Sequence, residues 1–222
     1  MRRGVDDSKD QSYVLFGIDR EVLPRVLFPA GGYRKAEIRD VAKQLGLRVA
    51  AKKDSQEICF VPDGDYARFV ERLAPNDSIR AGHITDSDGH ALADHAGIHH
   101  FTIGQRRGLG IAASEPLYVR EIRPESGEVI VGSRAELNSQ GLIARDVELV
   151  DPSALGAGES TIEIKIRYRH PAIAARITMA SPDTAEVRFL SGGPAVTPGQ
   201  ACVFYRGDEV IGGGFIERAL KP

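Results

Sequence analysis

Apolar residues recur at two different spacings along this chain, and each spacing predicts its own kind of element. Between Lys35 and Leu45 they fall three and four positions apart, which predicts an amphipathic helix with one buried stripe. Gly46 follows where a helix C-terminus favours a left-handed residue. The same spacing between Tyr66 and Leu73 predicts a second, shorter helix. The residues of the first stripe are Ile38, Val41, Ala42 and Leu45.

Downstream of Pro75 the pattern changes to short apolar runs between turn residues. A first hairpin is predicted around Asp88-Gly89, a dipeptide typical of tight β-turns, and a second around the loop 124–127. From about Gly141 onward, about six short runs alternate with turns that contain Pro or Gly, which predicts an antiparallel barrel. These runs are residues 147–150, 161–169, 174–179, 185–190, 201–205 and 210–217.

The elements predict an α+β fold, mainly β, in three parts. Residues 1–61 contain one clear helix and little sheet, which is too few elements for a complete domain. Residues 62–136 form a small β-rich central domain with one helix. Residues 137–222 form the C-terminal β-barrel of about six strands.

Composition narrows the class of protein. The chain has 222 residues with 42% hydrophobic content, which is typical of a globular protein. Because it contains no run of about 18 apolar residues and no apolar signal-peptide core, we expect a cytoplasmic protein with no membrane partner. A net charge of −2 argues against nucleic-acid binding driven by bulk charge, so any RNA-binding surface must come from a local arrangement of cations.

Two cysteines are too few for a disulfide framework, and they lie in different settings. Cys59 follows Lys52 and Lys53, whose charges would lower the pKa of its thiol if the loop folded them back toward it. The alternative is a short buried strand in which Cys59 is a small apolar side chain. Cys202 lies within an apolar run, so we expect it in a strand of the core.

Residues 162–169 alternate strictly between apolar and polar side chains. On a strand, Lys165, Arg167 and Arg169 would share one face and could form a ridge that contacts phosphate. The pattern is equally typical of the solvated outer face of a barrel strand.

Three further segments raise ligand hypotheses. Gly104 to Gly110 combines three glycines with two arginines, which suits either an approach to an RNA backbone or an active site, or a purely structural loop. Residues 191–194 resemble half of an ATP loop, but they lie between two predicted strands and are expected to form a turn. Four histidines lie close in sequence, but their spacing does not suit one helix face, so no metal is predicted within this chain. They are His90, His95, His99 and His100.

Seven segments in the same order resemble the tRNA-specific 2-thiouridylase family across nearly the whole chain. That resemblance implies transfer of persulfide sulfur to C2 of the wobble uridine in the tRNA anticodon, after ATP-dependent adenylation. The segments are residues 9–13, 27–29, 35–39, 54–60, 101–110, 165–169 and 198–200.

The resemblance also implies roles for individual residues. Cys59 corresponds to the second of two catalytic cysteines, the one that carries the persulfide. Six other residues correspond to tRNA contacts, namely Lys9, Asp10, Gln11, Arg167, Tyr168 and Gln200. Alternation along a strand would place Arg167 and Tyr168 on opposite faces.

The chain departs from the family pattern in one respect. The ATP loop and the first catalytic cysteine have no counterpart, so residues 1–61 are interpreted as a remnant of the ATP-binding catalytic domain. ATP is thus a cofactor of the family whose binding loop is absent here. The implied partners are tRNA and a sulfur donor, either a relay protein or a cysteine desulfurase. Two interpretations stay open: the C-terminal part of a 2-thiouridylase, and a stand-alone RNA-binding or sulfur-carrier module.

Overall fold

The computed structural model describes residues 1–52, 61, 65–75, 79–156, 158–168 and 170–221. Within this part of the chain the fold is mainly β, with short helices, as predicted. The residues form two compact units, one comprising Met1–Lys52 with Ser139–Pro222 and the other comprising Lys53–Asn138. The division into three domains stays a prediction.

The first unit contains a closed barrel of six antiparallel strands, which confirms the predicted C-terminal barrel. The strands are β5 Ser139–Leu149, β6 Ser160–Lys165, β7 Ile173–Ser181, β8 Thr184–Gly193, β9 Ala201–Arg206 and β10 Glu209–Leu220. Around the barrel they follow the order β10-β5-β8-β7-β6-β9, and β9 pairs with β10 to close it. Closure leaves no unpaired edge along the barrel wall.

Alternate side chains of these strands fill the barrel. Ile162 and Ile164 of β6 and Cys202 and Phe204 of β9 all lie in this core, at 4% exposure or less. Residues between them on β9, Val203 and Tyr205, point to the other side and are also fully buried. Strand β9 is therefore apolar on both faces, which explains its continuous hydrophobic run.

The outer face of β9 is covered by the start of the chain. Tyr13, on the one-turn helix α1 (Ser12–Leu15), packs with Val203 and Tyr205 and donates a 2.8 Å hydrogen bond to the carbonyl of Ala201. Gly213 of β10 provides the space beside it, because a Cβ there would collide with the ring of Phe16. Residues 1–16 are thus integral to the barrel unit.

Helix α2, Lys35–Gln44, confirms the first predicted helix, and Gly46 has the expected left-handed backbone (φ +64°). The predicted burial of its apolar stripe is wrong. None of its residues is buried, and Val41 and Leu45 are 46% and 68% exposed. The stripe has the composition of a buried face, but Ile38 and Ala42 are only partly buried.

The second unit contains helix α3 (Tyr66–Leu73) and a four-stranded sheet in the order β2-β1-β4-β3. Both predicted hairpins are present, and Gly89 and Gly127 in their turns have positive φ. The strands are β1 Gly82–Thr85, β2 Ala91–His95, β3 Tyr118–Arg123 and β4 Glu128–Gly132. A small core of Ile84, Leu109, Val119, Val129 and Val131 lies against the sheet.

Several strand boundaries differ from the prediction, most of all that of β5, which begins at Ser139 instead of at the predicted residue 147. Strand β6 ends at Lys165, four residues earlier than expected, because the chain bends at 166–168. Residues 191–193 are the end of β8 rather than a turn. No helix follows them, so they lack the helix N-terminus that an ATP loop requires.

Candidate nucleic-acid interface

The segment Lys9–Gln11 is held by the middle one of its three residues. Asp10 is 6% exposed, and its carboxylate accepts hydrogen bonds from the backbone N–H of Gly4 (3.1 Å) and of Ser12 (3.0 Å), and from the Ser12 hydroxyl (2.8 Å). The hydroxyl is also 3.1 Å from the phenol oxygen of Tyr205. These contacts fix the backbone on either side of Asp10, and Lys9 and Gln11 remain exposed.

Gln11 meets Tyr168, although 157 positions separate them in sequence. The Gln11 side-chain amide donates a 2.6 Å hydrogen bond to the Tyr168 hydroxyl at an exposed position. The Tyr168 ring lies 6.2 Å from the ring of Tyr13, so it rests on the same cluster that anchors residues 1–16. Two segments predicted to contact tRNA are therefore adjacent.

Arg167 does not belong to a strand face. Because β6 ends at Lys165, the predicted ridge of three cations on one strand is wrong, and Arg169 lies outside the described residues. The Arg167 guanidinium donates to the hydroxyl of Thr197 (3.0 Å) and to the carbonyl of Ala195 (3.3 Å). It thereby links the bend after β6 to the loop before β9.

That loop presents Gln200. The backbone N–H of Gln200 donates to the Thr197 carbonyl, and its own carbonyl accepts a 2.8 Å hydrogen bond from the Ile216 N–H. Gly199 has a φ of +81°, which a residue with a side chain rarely adopts. The backbone of Gln200 is fixed while its side chain is exposed.

Three segments thus converge at one place in the barrel unit: residues 9–11, the bend at 166–168 and the loop at 194–200. Sequence analysis missed the residues that connect them, namely Tyr13, Thr197 and Tyr205. Burial raises the pKa of Tyr13 to about 12, so its phenol keeps the proton that it donates to Ala201 at neutral pH. Sequence signals for the loop are its Pro-Gly turn and the family resemblance of residues 198–200, and neither predicts the contact with Arg167.

Of the two cysteines, Cys202 lies within the described residues. Cys202 is fully buried in β9, as expected, and its thiol donates to the Gly214 carbonyl at 3.5 Å. Burial raises the pKa of this thiol to about 12, because a thiolate there would lose its hydration. Cys59 lies outside the described residues.

The glycine-rich loop belongs to the second unit. Gly104, Gly108 and Gly110 all have positive φ, and Leu109 between them is buried in the core of this unit. A cavity of about 610 Å³ is lined by Arg106 and residues 108–117. The loop therefore contributes to this core, and its approach to an RNA backbone or an active site stays a prediction. Arg106 and Arg107 are both exposed.

Three family models match successive parts of the chain. The model described as a tRNA methyl transferase HUP domain matches residues 1–63, and a tRNA methyl transferase PRC-barrel domain matches residues 67–133. An aminomethyltransferase beta-barrel domain matches residues 139–216. Together these matches leave only short gaps.

Curated relatives cover the same length of chain. The tRNA-specific 2-thiouridylase MnmA of Geobacter metallireducens is 49% identical over 98% of this chain. The protein of the same name from Solibacter usitatus is 47% identical over 97%, and that from Rickettsia typhi is 44% identical over 100%. The chain belongs to the tRNA-specific 2-thiouridylase family. It spans 58%, 60% and 62% of the length of these three relatives.

Membership gives the converging segments a context. Segment 9–11 lies within the stretch matched by the HUP model, and segments 166–168 and 194–200 lie within the stretch matched by the beta-barrel model.

In the part of the chain that the structure describes, no helix is long and apolar enough to cross a bilayer.

Proposed function

We propose that this chain supplies the sulfur-carrying cysteine and part of the tRNA-binding surface of a tRNA-specific 2-thiouridylase. In that activity, ATP adenylates the oxygen at C2 of the wobble uridine, and the outer sulfur of the persulfide attacks C2 and displaces AMP. The family's first catalytic cysteine then attacks the remaining S–S bond, which releases 2-thiouridine and leaves a disulfide between the two cysteines. The observation that carries the proposal is the convergence of Gln11, Arg167, Tyr168 and Gln200 from three separate segments.

The chemistry of this surface suits an RNA backbone. Amide, phenol and guanidinium groups all hydrogen-bond phosphate or ribose oxygens, and such contacts position an RNA without reading its sequence. Lys9 beside Gln11 adds a second cation at an exposed position. We assign Asp10 to holding the segment, because its carboxylate is buried and would repel phosphate if it were exposed.

The sulfur would be carried by Cys59. A persulfide carrier must reach both a donor and a substrate, and Cys202 is fully buried with a thiol pKa raised to about 12. Cys59 is the other cysteine of the chain and follows two lysines. The sulfur donor would be a relay protein or a cysteine desulfurase, and the ATP site would lie outside these 222 residues.

A chimaera tests this function. The part of the Geobacter metallireducens relative that precedes the matched region would be joined to this chain, and 2-thiouridine would be measured by nucleoside mass spectrometry with ATP, tRNA and a sulfur donor. We expect activity that Cys59→Ser abolishes and that Cys202→Ala, the matched control, retains.

Two outcomes would contradict the proposal. One is activity that survives Cys59→Ser and is lost in a folded Cys202→Ala variant. The other is an inactive, folded chimaera that still binds tRNA, which would favour a stand-alone RNA-binding module.

A further inference from the structure

Two histidines and a glutamate meet on the second unit. Glu71 projects from α3, and His99 and His100 lie in the 3-10 turn Ile98–His100. One carboxylate oxygen, Oε1 of Glu71, is 3.2 Å from Nε2 of His99 and 3.3 Å from Nε2 of His100. The three ligand atoms all lie within 4.8 Å of one another.

These separations fit a metal ion with tetrahedral coordination. Zinc binds imidazole nitrogen and carboxylate oxygen at about 2.0–2.1 Å, so two ligands at the tetrahedral angle are roughly 3.3–3.4 Å apart. The distances from Glu71 to the two rings therefore match two edges of such a site within about 0.2 Å.

One ring of the site is held in place by its neighbours. The His99 side chain is only 12% exposed, compared with 37% for His100 and 44% for Glu71. A Cβ at Gly97 would lie 2.5 Å from Nδ1 and Cε1 of His99, so the ring occupies space that only a glycine leaves open. On the other side, Asp65 caps the first turn of α3 by accepting a hydrogen bond from the Arg68 N–H.

The alternative is a cluster held by hydrogen bonds alone, in which each ring donates its Nε2–H to Oε1 of Glu71. The ring centroids lie 4.1 Å apart in either arrangement. Metal titration distinguishes the two arrangements.

A second group on this unit, Asp86, Asp88 and His90, has a different explanation. The Asp86 carboxylate accepts from the backbone N–H of Asp88 and of His90, which is the hydrogen bonding of an aspartate that closes the turn between β1 and β2. This group therefore serves as a matched control.

We propose that Glu71, His99 and His100 form a binding site for a divalent transition metal of the Zn²⁺ class, with water in the fourth position. Two histidines and one glutamate form the protein ligand set of several zinc sites that keep one position open. The metal would tie α3 to the turn that precedes the glycine-rich loop. This departs from the prediction of no metal, which rested on the spacing of the histidines alone. Glu71 lies 28 positions before His99, so the histidine spacing does not reveal it.

Cobalt titration of the full chain tests the site. The protein would be freed of metal with a chelator and would carry Cys59→Ser, so that a thiolate cannot contribute a ligand. We expect one equivalent of Co²⁺ to give the intense visible absorption of four-coordinate cobalt, and Zn²⁺ to displace it. Glu71→Gln and His100→Asn should each weaken binding by at least about 10–100-fold, the loss typical of removing even an outer-shell partner. His90→Asn should leave binding unchanged.

Hydrogen exchange adds a readout that does not depend on colour. Zn²⁺ should slow exchange of the amides in α3 and in residues 97–101 of the parent protein, and Glu71→Gln should remove that protection. The proposal is overturned if the parent and Glu71→Gln proteins bind Co²⁺ equally, if His90→Asn weakens binding as much as His100→Asn, or if Zn²⁺ leaves both segments unprotected.

Discussion

Arg167 can contact tRNA directly or can act by holding the loop that carries Gln200, and two substitutions separate these roles. Arg167→Ala removes both the charge and the hydrogen bonds to Ala195 and Thr197. Thr197→Val removes the hydroxyl acceptor alone and leaves the guanidinium charge in place. The affinity difference between the two variants therefore contains the charge and the hydrogen bond to Ala195, and the salt dependence reports the charge.

The expected magnitudes follow from the contacts. Losing the Arg167–Thr197 hydrogen bond, whose donor is charged, costs about 1.5–3 kcal/mol, so if all of it reaches the tRNA-bound state, Thr197→Val weakens affinity by at most about 150-fold. The salt dependence should not change. For Arg167→Ala, loss of one phosphate contact should flatten the slope of log K against log salt by about 0.7–0.9. A slope change of that size amounts to roughly sixfold in affinity between 0.1 and 1 M salt. In Arg167→Ala the loss of the hydrogen bonds multiplies this factor by at least the loss measured for Thr197→Val.

The assay is titration of labelled tRNA by fluorescence anisotropy at several salt concentrations, with the parent protein, both variants and two unrelated tRNAs. Circular dichroism melting shows whether each variant is folded. If Arg167→Ala keeps the parent slope and loses only as much affinity as Thr197→Val, Arg167 is a brace and not a phosphate contact. If neither variant changes affinity, this surface does not bind tRNA.

Four further outcomes are expected. At pH 8 iodoacetamide should label Cys59 and leave Cys202 unmodified until urea is added, because a thiol with a pKa of about 12 is thiolate in only about 10⁻⁴ of molecules. Peptide mass spectrometry measures the labelling, and modification of native Cys202 would contradict its burial. The pKa of Cys202 is raised from 9.0 to about 12, so the contribution of its protonated thiol to stability is complete below about pH 9 and is lost as the pH rises to about 12. The free energy of unfolding should fall by up to about 4 kcal/mol over that range. Urea unfolding followed by circular dichroism should show this decline, and Cys202→Ala should flatten it. Gly213→Ala should destabilise the barrel by about 1–3 kcal/mol because the new methyl collides with Phe16, whereas Gly32→Ala, with no neighbour within 4 Å, should be nearly neutral. Equal melting temperatures of the two variants would refute this packing. The 222 residues alone should form no 2-thiouridine with ATP, as measured by nucleoside mass spectrometry, and detectable product would disprove it.

The barrel was predictable because most of its strands carry their own signal. Strands β7 and β8 alternate between buried and exposed side chains, and turns containing Pro, Gly or Asp separate the strands. The alternation in residues 162–169 correctly predicts a strand but places its end too late, because the apolar Ile166 remains buried after the chain has left the sheet. Periodicity reports burial and does not by itself report hydrogen bonding.

The connections at the candidate interface could not be predicted. No local pattern links Gln11 to Tyr168, because their contact depends on residues 1–16 packing on the outer face of β9. The family resemblance identified both residues separately and gave no reason for their proximity. For helix α2 the spacing of apolar residues predicts the helix correctly but not its burial, because burial depends on which other residues cover the helix.

The order of the two units along the chain has a consequence for how it breaks. Residues 53–138 interrupt the barrel unit, whose two pieces, 1–52 and 139–222, are joined by buried contacts between Tyr13, Val203 and Tyr205 and by the backbone pairing of Arg2 with Glu209. A protease that cuts once within the interruption would therefore yield two fragments that remain together under native conditions. The covalent path between Gln11 and Tyr168 would be severed, and their hydrogen bond would survive.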